Sequence, residues 1–142
     1  MKARSVGLQR FIDTRLRSSA AVIALVPSSN IVDDDARPER FPCIIIRQDQ
    51  STYVFDKIES TLHLWSKVSG FAEVMEIAAA IGDTLETSPW PVEGSGLSNL
   101  RITGRLFLPR NEGVYSHGIL SVEAIQQVTR RRAVSNVTID LP

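Results

Sequence analysis

Apolar and polar side chains alternate over residues 58–65 (Ile-Glu-Ser-Thr-Leu-His-Leu-Trp), and after a short polar break the repeat lengthens to a helical one that lasts to Leu85. A period of two sends alternate side chains to opposite faces of a strand, whereas a period near 3.6 lines up positions i, i+3, i+4 and i+7. The first segment therefore predicts a strand with Ile58, Leu62 and Leu64 on one face and Glu59, Thr61, His63 and Trp65 on the other, Ser60 interrupting the apolar side. It runs straight into a helix whose stripe is Phe71, Val74, Met75, Ala78, Ile81 and Leu85. Ser69 is the expected N-cap, Glu73 and Glu76 suit the positive helix start, and Ser88-Pro89 ends the helix.

The same reading extends to both sides. Leu8, Phe11, Ile12 and Leu16 predict an N-terminal helix, Ser18-Ser19 caps a short second one over 20–26, and Ile31-Val32 is a possible short strand. An irregular acidic segment follows, and the β-branched run after Phe41-Pro42-Cys43 predicts a strand over 44–49. Downstream, Leu100, Ile102, Leu106 and Leu108 are expected on one strand face with Arg101, Thr103, Arg105 and Phe107 opposite. A polar hairpin loop over 109–116 then leads to a return strand over 117–128, with Leu120, Val122, Ala124 and Val128 on one face. Strands joined by a hairpin pair antiparallel, so the fold class is α+β: a mostly antiparallel sheet of four to five strands with helices on one face. The expected domain spans 1–129, and 130–142 is a C-terminal extension in which Val137, Ile139 and Leu141 alternate like a strand lacking a partner.

Composition narrows the function classes. The 142 residues suffice for one domain with a real core. Sixteen basic residues balance sixteen acidic ones, so no overall field attracts nucleic acid or an anionic membrane. No apolar stretch is long enough to span a bilayer, the N-terminus does not read as a signal peptide, and folding in the cytoplasm is the expectation. The single cysteine, Cys43, lies in an apolar run and reads as a core residue.

Chemistry finds no foothold in the pattern. His63 and His117 sit in predicted strands without a further ligand at metal spacing, and both read as structural or exposed. Asp33-Asp34-Asp35 lacks the glycine and distal glutamate of a calcium loop. Gly94-Ser95-Gly96 has neither the lysine nor the preceding strand of a phosphate cradle, and no nucleophile elbow or triad is apparent. Arg130, Arg131 and Arg132 lack the wider basic footprint of a nucleic-acid binder. An enzyme is not expected, nor any cofactor or metal.

The chain resembles a known family on several of these segments together. They are the helix ending in Ala24-Leu25-Val26, the strand Phe41-Pro42-Cys43-Ile44-Ile45-Ile46 followed by Asp49, and Leu62-His63-Leu64-Trp65 leading into its helix. Leu100-Arg101-Ile102 and Ser116-His117-Gly118-Ile119-Leu120 followed by Val122 complete the match. It is similar to the tail-terminator (tail-completion) proteins of tailed bacteriophages, prophages and gene transfer agents, over about residues 8 to 129. The resemblance implies a virion structural protein, assembled in the host cytoplasm as a hexameric ring on the head-proximal end of the tail tube. The ring would end tube growth, meet head-completion (neck) proteins, and let genome DNA pass without sequence-specific binding. The alternatives are another neck component, such as a head-completion or stopper protein, or a small ligand-binding α+β domain.

A ring needs a heterologous interface. Within this reading the hairpin residues Asn111, Glu112 and Tyr115 are expected at a subunit or tube contact. The extension, through Arg130, Arg131 and Arg132 on an acidic surface and Val137, Ile139 and Leu141 as an added strand, is expected to dock on a neighbour.

Overall fold

The computed structural model describes residues 2–33, 38–47, 50–51, 57–68, 70–86, 97–108 and 115–126. In chain order it runs α1 (Lys2–Arg17), α2 (Ala20–Leu25), a 3-10 turn (Ser28–Asn30), β1 (Ile31–Asp33), β2 (Cys43–Ile46) and β3 (Gln50–Ser51). It continues through β4 (Lys57–Ser66), α3 (Ala72–Glu86), β5 (Leu97–Leu108) and β6 (Ser116–Gln126). The strands form one sheet in the order β1-β2-β4-β6-β5, with β3 alongside β4. Every pairing is antiparallel except β1 with β2. The expected α+β class and the single helical layer are both present.

The layer forms because the apolar stripes of α1 and α3 meet the apolar face of the sheet. Leu8, Ile12 and Leu16 of α1 and Val74, Ile77, Ala78, Ile81 and Leu85 of α3 are buried against Ile44, Ile46, Ile58, Leu62, Leu64, Leu120, Val122 and Ala124. Helix α1 covers β1, β2 and β4, and α3 covers β4, β6 and β5. Met75, placed by its spacing in the α3 stripe, lies at the stripe's margin instead and is 52% exposed.

Ser60, the break in the apolar face of β4, is buried there and donates its hydroxyl to the Arg47 carbonyl at 2.7 Å. A buried hydroxyl is tolerated because its hydrogen bond is made. The junction between β4 and α3 is tied in the same way. Ser66 donates to the Glu73 carboxylate and accepts from the Val68 N–H. Ser116, its partner across the β4–β6 register, donates to the carbonyls of Val68 and Gly70. Three elements are thus fastened at one end of the sheet by two hydroxyls. The residue expected to cap α3, Ser69, lies outside the described residues.

Two expectations are corrected. The run after Cys43 is not one strand over 44–49, since β2 ends at Ile46 and Gln50–Ser51 pairs separately with β4. The faces of β5 also change along its length. Irregularities in the β5–β6 register between Ser98 and Arg101 and between Ile102 and Gly104 shift the alternation, because an unpaired residue reverses the face of all that follow. Ile102 faces the helices opposite Val122, but beyond the shift Phe107 faces them opposite Gly118, and Leu106 and Leu108 fall on the other side.

Candidate assembly surfaces

With the helices on one face, the other face of the sheet carries Thr61, His63 and Trp65 of β4, His117, Ile119 and Ser121 of β6, and Leu106 and Leu108 of β5. Leu106 is 54% exposed there. His117 stands directly opposite Trp65, and their rings stack at 3.8 Å between centroids and 8° between planes. His63, one diagonal step away, brings Nδ1 to 2.9 Å from His117 Nε2. The centroids of the two imidazoles are 5.1 Å apart with their planes 24° from parallel, so the rings meet edge to edge and share one hydrogen bond rather than opening toward a common ligand. Sequence spacing held no sign of this cluster, because cross-strand register sets it.

Burial depresses the basicity of both imidazoles. It pushes His117 down to about 4, with help from His63 and the Arg47 guanidinium, and it lowers His63 together with the same Arg47. Both shifts favour the neutral rings near pH 7, and the shared hydrogen bond needs at least one neutral imidazole as its acceptor. The unfolded chain, whose histidines titrate near 6.5, binds more protons than the native protein between that value and about 4. Stability is then fully expressed above about pH 6.5, falls as pH drops toward 4, and flattens below. Thermal unfolding should show this slope, and His117→Gln should reduce it. An unchanged slope in that variant would separate the pair from the acid sensitivity.

Cys43, opposite Trp65 in the register, is buried, and burial raises its thiol to about 11. Its register with Trp65 puts it on the face away from the helices, buried there and favouring the protonated thiol. Among the described residues, no group of three or more His, Cys, Asp or Glu side chains could hold a metal ion, and no helix is long and apolar enough to cross a membrane.

Of the hairpin residues, Tyr115 is described. It is partly exposed and stacks on Phe41 at 4.7 Å between centroids and 7° between planes, while Lys67 Nζ lies 5.2 Å from the center of the Phe41 ring. Tyr115 thereby joins the start of β6 to the segment preceding β2. Asn111, Glu112, Arg130, Arg131, Arg132, Val137, Ile139 and Leu141 lie outside the described residues.

Among the described residues, β1 and β5 lie at the two ends of the strand order, and β3 pairs with β4 alone. At β5 the N–H of Ile102 donates to the Glu86 carboxylate at 2.9 Å, so the last residue of α3 occupies part of that edge. An acid at a helix C-terminus opposes the helix dipole, and the bond to β5 accounts for its place. At the other edge, Arg17 pairs with Asp13 at 2.8 Å and donates to the carbonyls of Ser28 and Ile31, clamping α1 to the start of β1.

Residues 12–127 match the family described as Tail completion protein gp17. Solved structures share the fold, two among them over most of this chain. One is a chain of a structure described as the virion of a native gene transfer agent particle, with a TM-score of 0.66, 18% identity, and coverage of 85% of this chain and 95% of that chain. The other is the bacteriophage SPP1 gp17 protein, with a TM-score of 0.59, 22% identity, and coverage of 85% and 89%. No curated protein matches this chain.

Proposed function

From the premise that this chain belongs to the tail completion protein gp17 family, we propose that it forms a ring at the head-proximal end of a phage-type tail, ends growth of the tail tube and joins the tail to head-neck proteins. Family membership makes it a structural phage protein rather than an enzyme. The match over residues 12–127 carries the reading, since it covers nearly the whole of the domain built above.

The fold is consistent with this role. Its two flanks differ, one bearing β1 and α1 and the other β5 and α3, and unlike flanks are what a head-to-tail ring requires. The open sheet face offers an aromatic and apolar surface around Trp65, His117 and Leu106 for a tube or neck partner. The balanced net charge suits a conduit for DNA, because a lumen that gripped phosphates would retard passage.

Within the ring, the hairpin bearing Asn111, Glu112 and Tyr115 contacts a neighbour. The extension adds a strand to a partner's sheet through Val137, Ile139 and Leu141, held by Arg130, Arg131 and Arg132. Electron microscopy and native mass measurement of the protein, alone and with tail-tube protein, test the proposal. Six-fold rings that cap tubes of defined length are expected. A protein that stays monomeric under both conditions, or tubes that grow past it, would overturn the reading.

A further inference from the structure

The zero net charge of the chain conceals a separation along it. Helix α1 carries Lys2, Arg4, Arg10, Arg15 and Arg17 against the single acid Asp13. Helix α3 carries Glu73, Glu76, Asp83 and Glu86 and no base. The fold sets these helices toward opposite edges of the sheet, α1 over β1 and β2, α3 over β6 and β5.

Each helix turns part of its charged face outward. On α3, Thr84 meets Ser19 of α2 at 2.8 Å, which fixes the inner flank. Glu86 reaches β5, and a Cβ on Gly82 would lie 3.2 Å from Arg105 Nη2, which fixes the outer flank. At 100° per residue, Met75 shares that outer flank, with Glu76, Ala79 and Asp83 on the adjoining solvent face, and all four are exposed. Arg105, across Gly82, is the base that borders this surface. On α1, the bonds from Arg17 to Ser28 and Ile31 turn its side toward β1, and Arg10 is exposed next to it on the helical wheel. Arg15 falls on the opposite flank of α1, half-buried and away from this face.

We propose that copies of this chain join flank to flank, the acidic outer face of α3, with Met75 at its margin, seating against the basic face of α1 on the next copy. The inference rests on the ring reading and names its contact. Charge complementarity selects the arrangement. Two α3 flanks face to face would oppose acid to acid, and two α1 flanks base to base, so both two-fold dimers are penalised and only head-to-tail contact is attractive. Head-to-tail contacts between unlike patches close into a ring when the rotation between copies closes, and otherwise run on as a filament. Met75 supplies apolar area at the margin of an otherwise polar contact, and Ala79 leaves room for a close approach.

Charge reversal at two exposed positions tests this. Glu76→Arg and Arg10→Glu should each raise the protein concentration needed for ring assembly about ten-fold, with thermal unfolding unchanged. The chain carrying both changes should assemble as the wild type does. A mixture of the two single variants should also assemble, into rings that alternate and hold even numbers of subunits by native mass. Assembly of the wild type should weaken from 0.15 to 0.5 M salt, as screening shortens the reach of the charges. If wild type and all variants form rings equally well, the ring stands and this contact falls. If neither the double variant nor the mixture recovers assembly, the pairing of these faces is wrong. A wild type that never assembles, alone or with tube protein, removes ring and contact together.

Discussion

Leu62→Ala should cost about 2–5 kcal/mol of folding stability, the largest loss expected from any single change considered for this chain. Leu62 lies in the middle of β4, completely buried, paired with Ile46 of β2 on one side and Leu120 of β6 on the other. Removing its three outer carbon atoms loses their transfer energy and leaves a void that neighbours on both strands can only partly fill. A domain of this size holds about 5–15 kcal/mol in all, so the variant should melt roughly 10 °C lower. Thr61, the next residue, points to the open face and is partly exposed. Thr61→Ala should stay within about 1 kcal/mol of the wild type. Equal losses at the two positions would mean that the assigned faces of β4 are wrong.

Gly118→Val should be the second most damaging change, at about 1–3 kcal/mol. Gly118 is buried on β6 opposite Phe107, and a Cβ at this position would stand 3.0 and 3.1 Å from two carbons of the Phe107 ring and 3.7 Å from Val74. The ring lies across the glycine and leans on Phe71, 5.9 Å away between centroids. Valine favours strands by up to about 1 kcal/mol, but its Cβ and two methyl groups cannot enter without displacing the ring, so overpacking wins. Phe107→Ala in the same chain vacates that space. Chemical denaturation of both single variants and the double should therefore show a combined loss well below the sum. Strict additivity would show that the ring does not lie over Gly118.

The reasons why some features were legible and others were not are physical. Strand β4 and helix α3 announce themselves because their periods are local, and burial of alternate residues in one and of Val74, Ile77, Ala78, Ile81 and Leu85 in the other follows directly. The faces of β5 did not, because the irregularities that move Phe107 inward and Leu106 outward depend on where β6 pairs with it. Asn99, left-handed within the first irregularity, and Gly104, at the second, were the residues that could have signalled them. The His63–His117–Trp65 cluster was invisible for the same reason, since 54 residues separate the two histidines and only the β4–β6 register makes them neighbours. The separation of charge between α1 and α3 could be read from the chain, but its meaning needed the helices to be placed over opposite edges.

The bond from Glu86 to the Ile102 N–H carries a consequence for how the protein survives before use. Strand β5 is the longest in the sheet at 12 residues and lies at its rim. A rim of that length invites other chains to stack on it, and stacking without end yields fibres instead of particles. One carboxylate bound in its middle withdraws a donor that an intruding strand would need, and adds a charge beside the rest. A single side chain at the end of a helix thus opposes the stacking of further chains on this rim.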